Sequence, residues 1–302
     1  MKKIIAAAVA TAFVAPAMAD VTISGTLSEY IVNEEVVGSS VDRTGSESNI
    51  TIGASSEANN GLTVSGTLKL TTDGEDYYGE GITISHASFG SITAGNPSGA
   101  VDSIDDRSEV LQMMDPTKGH SDSAVLWTLP TLAEGLSVRV SYSPTDGAAA
   151  QPTGTIVNGT TNYSNNNTAI ADDESGFAVT YDLGMVSVGY GQSDEASQEA
   201  TYVGLTLKSS GLMVGIDSSE YKNNDGTKDD ALSIGATYTM GDVSLRGITS
   251  SFKDDGTKTK DRTAYGINYN LGGGATLIVE SGSEDEETTK GEFTAVGVMY
   301  KF

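Results

Sequence analysis

From residue 21 onward, apolar side chains occupy every second position in one segment after another. Val21, Ile23, Gly25 and Leu27 alternate with Thr22, Ser24, Thr26 and Ser28. Leu62, Val64, Gly66, Leu68 and Leu70 alternate with Thr63, Ser65, Thr67, Lys69 and Thr71. The same pattern runs through Leu136–Ser143, Tyr202–Lys208 and Leu232–Thr239, and the chain ends on Val296, Val298, Tyr300 and Phe302. A period of two predicts strands with two unlike faces. No stripe of helical period and no long apolar run stands beside it.

The connections alternate in length. Seven are short: Asn59–Gly61, Ser88–Gly90, Pro130–Gly135, Asp182–Gly184, Ser209–Gly211, Met240–Asp242 and Leu271–Gly274. Eight are longer and more polar, near 31–45, 71–78, 96–122, 144–175, 192–200, 218–230, 252–261 and 281–291. Seven turns and eight loops join sixteen antiparallel strands. About 10 residues per strand use roughly 160 residues, the size of strand that crosses a bilayer at a tilt. Ile82–His86 is the weakest segment by pattern, which gives the count a margin of two strands.

The two faces decide between a closed membrane barrel and a soluble sandwich. A sandwich fills its inner face with bulky side chains from two sheets. Here the non-apolar face is Ser, Thr, Gly and Asn with rare Lys or Arg, as a wet lumen needs. The other face is aliphatic with Tyr near strand ends, as a lipid band with an aromatic girdle needs. In lipid every backbone group must bond within the protein, so such a sheet must close.

Composition fits this picture. Lys2 and Lys3, the apolar run Ile4–Val14 and the small-residue site Ala17-Met18-Ala19 read as a secretory leader over 1–19, too short to span a bilayer. The expected pore domain is then 20–302. The whole chain carries 17 Lys+Arg and 41 Asp+Glu, a formal charge of −24. Removing a leader with two Lys leaves 15 − 41 = −26. Such a chain repels nucleic acid and attracts cations. It has no cysteine, which excludes disulfides and thiolate chemistry. The 37% hydrophobic content is low, yet sufficient where only every second strand residue must be apolar.

Charges gather in the connections, at Asp172-Asp173-Glu174, Asp229-Asp230, Asp254-Asp255 and Glu284-Asp285-Glu286-Glu287. They read as solvated loops, or as an acidic mouth that concentrates cations and bridges lipopolysaccharide through divalent ions. An outer-membrane barrel enzyme is the rival reading, but the only histidines are His86 and His120, and no G-x-S-x-G, P-loop, EF-hand or metal-ligand spacing occurs. Asp225-Gly226 and Asp255-Gly256 read as turns. A secreted structural or adhesive β-protein would show a short fixed repeat, and none is present.

Four segments resemble the Gram-negative general porins, especially the alphaproteobacterial type. They are Glu57–Val64, Phe89–Asn96, the stretch from Trp127-Thr128-Leu129-Pro130 through Gly135–Val138 to Ser141-Tyr142-Ser143, and the terminal Tyr300-Lys301-Phe302. Their order and spacing cover the whole mature chain. The resemblance implies an all-β, sixteen-stranded antiparallel transmembrane barrel in the bacterial outer membrane, a homotrimer without cofactor or catalytic chemistry. It also implies passive diffusion of ions and small hydrophilic solutes. It implies further that the third loop, Asn96 to Asp122, folds inward and narrows the pore. That loop carries Asp102, Asp105, Asp106, Glu109 and Asp115, with few bulky residues to pack. In such porins the loop carboxylates face basic residues on the opposite wall. The candidates here are Lys69, Arg139 and Arg246, lumen-facing by parity, and Arg43 at the end of the first loop. Where relatives often carry Arg on the second strand, this chain has Ser48-Asn49-Ile50-Thr51. The basic side is therefore thin, and a cation-preferring eyelet is expected.

Overall fold

The computed structural model describes residues 20–36, 39–58, 60–71, 77–114, 123–144, 155–157, 160–162, 173–195, 198–286 and 289–302. The expected leader, Asp115, His120 and most of the expected 144–175 loop lie outside them.

Sixteen strands form one antiparallel sheet. They are β1 (Asp20–Val36), β2 (Ser39–Ser46 continued by Asn49–Glu57), β3 (Thr63–Thr71), β4 (Tyr77–His86), β5 (Gly90–Ala94), β6 (Val125–Thr128), β7 (Leu136–Ser143) and β8 (Glu174–Asp182). The second half comprises β9 (Val186–Glu195), β10 (Gln198–Ser209), β11 (Leu212–Asn223), β12 (Lys228–Met240), β13 (Val243–Asp254), β14 (Thr257–Gly272), β15 (Ala275–Glu286) and β16 (Thr289–Lys301). Each strand pairs with the next, and β1 pairs with β16 from Thr26↔Lys301 to Val36↔Gly291, closing the barrel. At the seam Gly25 and Phe302 exchange backbone hydrogen bonds of 3.0 and 3.1 Å. Closure satisfies the edge that an open sheet would leave in lipid. Among the described residues no helix is long and apolar enough to cross a membrane.

The expected alternation is what the barrel uses. Val21, Ile23 and Ile31 are 64–67% exposed on the outside, while their neighbours Ser28, Tyr30 and Val32 are buried on the concave side. Tyr181, Tyr238, Tyr269 and Tyr300 are exposed near the turn ends of their strands, the place of an interfacial aromatic belt.

Five of the expected long loops are mostly strand. Val36 pairs with Ser39, Glu195 with Gln198, Lys222 with Lys228, Asp254 with Thr257 and Glu286 with Thr289. The apolar alternation stops at the lipid boundary, but the backbone ladder continues above it. Cross-strand ion pairs accompany the extensions: Lys222–Glu199 at 3.3 Å, Lys228–Glu220 at 3.0 Å and Lys260–Glu284 at 3.3 Å.

The wall is lowest at β5 and β6, which have five and four residues. There the chain leaves the sheet. Gly95 sits at φ 137° with its Cα against Gly81, itself at φ 97°, an approach that admits no side chain at either position. The third loop starts at this crossing.

Candidate functional site

The loop from Asn96 lies along the concave, polar face of the barrel. Its neck is closed by Gly95 N–H donating to the Ala124 carbonyl at 3.1 Å and Ser123 N–H to that of Pro97 at 2.7 Å. Beyond the neck the Ala100 N–H donates to Ser141 Oγ on β7 at 2.9 Å. A single helical turn, α1 (Asp102–Asp105), packs on β8 to β11. The Arg107 guanidinium donates to the carbonyl and hydroxyl oxygens of Ser187 on β9, at 3.0 and 3.1 Å. The Ser108 N–H donates to the buried carboxylate of Asp217 on β11. On β13, Arg246 Nη1 donates to the Val110 carbonyl at 2.9 Å. On β15, Glu280 accepts from the amides of Gln112 and Met113.

The expectation of few bulky residues in this loop is corrected. Ala100, Val101 and Ile104 are buried with Ala178, Ala200, Tyr202 and Tyr221 of the wall. Val110, Leu111 and Met114 are buried with Ile248 and Ala264. The small apolar core of the protein is therefore the contact between loop and wall, and the wall makes room for it with glycine. A Cβ built on Gly215 or Gly235 would fall on the backbone carbonyl of Arg107 or Ser108, and one on Gly204 on the Arg107 side chain.

The described part of the loop runs along the wall from β7 round to β1, and an open space lies against β3 to β7. It is a cavity of about 570 Å³ lined by Ser65, Gly66, Thr67, Lys69, Gly81, Thr83, Thr93, Asn96, Pro97, Ser98, Asp102, Leu126 and Arg139. One carboxylate of the loop thus shares an aqueous space with two cations of the wall. Lys69 pairs with Thr51 and Arg139 with Thr128 in the ladder, and both are half-buried.

The other candidate residues sit elsewhere. The carboxylate oxygens of Asp102, Asp105 and Asp106 lie within 4.8 Å of one another, a spacing at which three carboxylates can share one cation. Asp105 is 4% exposed, while Asp106 and Glu109 are exposed. Arg246 lies beneath the loop, where Asn268, with its amide oxygen turned toward it, accepts from both terminal nitrogens at 3.2 Å. Arg43 pairs with Glu34 on the first outer hairpin. It stands eight positions beyond Thr51 along β2, roughly 25 Å at the rise of a strand. His86 holds two turns together, with Nε2 3.2 Å from the Asn60 carbonyl and Nδ1 accepting from Ser88 N–H at 3.1 Å.

Arg107, Asp217 and Glu280 were missed as site residues. Their signal was the run of lumen-parity glycines at 189, 191, 204, 215, 235 and 266, which is the footprint of the loop on the wall.

Solved structures with the same fold include porins. One is the anion-selective porin from Comamonas acidovorans, at 11% identity and TM-score 0.72, covering 94% of this chain and 100% of that one. A second is a loop-deletion mutant of OmpT of Vibrio cholerae, at 14% identity and TM-score 0.69, covering 94% and 99%. A third is Salmonella typhi OmpF in complex with daunomycin, at 16% identity and TM-score 0.68, covering 93% and 97%. No curated protein sequence matches the chain. The Gram-negative porin family matches residues 6–289, nearly the whole length of the barrel, and the chain belongs to that family.

Proposed function

We propose that this outer-membrane diffusion channel passes ions and small hydrophilic solutes with a preference for cations, sieving them where the third loop faces Lys69 and Arg139. The observation that carries the sieve is the cavity shared by Asp102 with those two cations, beside a loop held to the wall through Arg107 and Arg246. A solute there meets charge of opposite sign on two sides, and the field between them orients its dipole. Two of the four candidate cations are diverted, Arg246 to the loop backbone and Arg43 to Glu34. The loop keeps exposed carboxylates at Asp106 and Glu109, and the chain as a whole is strongly acidic. These features favour cations in the narrow section. The anion selectivity named for the Comamonas porin belongs to a protein 11% identical, and likeness at that level carries the fold alone.

The same reading includes a homotrimer, no cofactor, and divalent cations bridging the acidic outer hairpins to lipopolysaccharide. Purified protein in planar bilayers is expected to give stable conductance steps, and under a salt gradient a reversal potential of the sign set by cations. A reversal of the opposite sign overturns the preference and leaves the channel standing. Absence of steps overturns the channel.

A further inference from the structure

We propose that Met113 and Met114 form an oxidation-sensitive clasp that holds the inner loop to the barrel wall. The chain has eight methionines, of which Met1 and Met18 fall in the expected leader. Of the other six, four lie in the two apolar clusters where the loop meets the wall. Met113 packs half-buried against the cluster of Tyr30, Val32, Ile278, Ala295 and Met299. Met114, 7% exposed, is buried with Val110, Leu111, Ile248 and Ala264, and Met213 packs on that cluster. The remaining two, Met185 and Met240, stand 70% and 51% exposed at the short turns. Sulfur is thus concentrated where the loop grips the wall.

This apolar grip sits on the concave face of a barrel read as water-filled, so a small peroxide can reach it. The thioether sulfur attacks one peroxide oxygen. The S–O bond forms as the O–O bond breaks, the sulfur is oxidised by two electrons, and the peroxide leaves as water. The product is a polar, chiral sulfoxide in place of a flexible apolar side chain. At Met113 the new oxygen puts a polar group among Tyr30, Val32 and Ile278, on the residue whose backbone N–H ties the loop to Glu280. This loosens the loop from β15 and shifts its position in the lumen.

The inference rests on the channel reading, and its test separates the two. Purified barrel is exposed to graded hydrogen peroxide. Oxygen uptake is located by peptide mass spectrometry, and conductance is recorded before and after. The expected result is sulfoxide at Met113 or Met114 together with an altered single-channel conductance and faster proteolysis within the loop. In Met113→Leu/Met114→Leu, near in volume and inert to peroxide, untreated conductance is retained and the peroxide response is lost. Met113→Leu alone serves if the double variant folds poorly. The proposal is overturned if the variant responds as the parent does. It is equally overturned if Met113 and Met114 stay reduced while Met185 and Met240 are fully converted. A protein that gives no conductance at all overturns the channel reading, and the mass-spectrometric and proteolytic arms still decide the clasp.

Discussion

Both carboxylate oxygens of Glu280 accept from the backbone N–H of Gln112, at 3.0 and 3.1 Å, across 168 residues of chain. The Met113 amide adds a third contact at 2.9 Å, and the Glu280 residue is 0% exposed. A carboxylate buried in a barrel wall is costly unless its lone pairs are filled. Here two loop amides fill them, so wall and loop are satisfied together. In Glu280→Ala both amides lose a charged acceptor, each such bond being worth about 1.5–3 kcal/mol before lumen water offsets part of it. The expected outcome is a barrel that still folds, because its ladder is intact, with fast hydrogen exchange at Gln112 and Met113 and a noisier open channel. Glu280→Gln retains one acceptor oxygen and falls between. Unchanged exchange at those amides in the alanine variant would show that the carboxylate is not the tether.

The glycine footprint gives a sharper test, because it needs no change of charge. A Cβ at Gly215 or Gly235 coincides with loop backbone, whereas at Gly247 its one neighbour is the Ala264 carbonyl at 3.7 Å. Backbone cannot rotate away as a side chain can, so Gly215→Ala or Gly235→Ala must push the loop into the lumen. Overpacking of this kind costs about 1–3 kcal/mol. Both variants are expected to change single-channel conductance, and Gly247→Ala is expected to match the parent. Equal conductance in all three would mean that the loop rides free of the wall.

Much of this was legible in the chain before any coordinates. The period of two gave the closed barrel, because in lipid it has no other stable outcome. The alternating connection lengths gave sixteen strands. The outer hairpins were read as loops because apolar patterning reports the lipid band and not the ladder, which at Asp254↔Thr257 and Glu286↔Thr289 runs on through polar residues. Parity placed Lys69, Arg139 and Arg246 on the inner face, but it is blind to what lies over that face. It could not tell that Arg246 is covered by Val110 while Lys69 and Arg139 line open space. Apolar residues of the loop such as Ile104 and Leu111 were passed over because no period marks a segment that is neither helix nor strand for most of its length.

At the outer hairpins, Glu284 accepts from Arg262 and pairs with Lys260. It lies above the lipid band, since the outward positions beside it are Asp261 and Asp285, directly paired. Partial burial acts to raise its carboxyl pKa, but the bond to Arg262 and the nearby Lys260 outweigh this and hold it below the ordinary carboxylate range. A depressed folded pKa means that its stabilisation is complete above the unfolded value and is lost as pH falls through the folded one. Amide protection at the tip of the β14–β15 hairpin is therefore expected to persist on mild acidification and to fall only below the ordinary carboxylate range. In Arg262→Ala most of that stabilisation is absent from the start, so protection should be lower at neutral pH and should change less on acidification. Hydrogen exchange read across the acid range checks this, and identical profiles for parent and variant would remove the ion pair from the account.

The selectivity reading makes opposite demands on the two sides of one cavity. Asp102→Asn removes a carboxylate from the space shared with Lys69 and Arg139, and cation preference is expected to fall. Lys69→Asn or Arg139→Asn removes a cation from that space, and the preference should rise. The pair Asp105→Asn with Asp106→Asn should act mainly through Asp106, since Asp105 is 4% exposed and turned into the loop's own contact. Arg43→Ala should leave the reversal potential unchanged, because its charge is matched by Glu34 on a hairpin well beyond a Debye length of about 8 Å from the constriction. Arg246→Ala should alter conductance through the loop more than it alters the sign of selectivity, because its guanidinium is spent on Val110 and Asn268. Reversal potentials under one salt gradient across the six variants decide the matter. If Asp102→Asn and Lys69→Asn move the potential in the same direction, the cavity between them is not where ions are sorted.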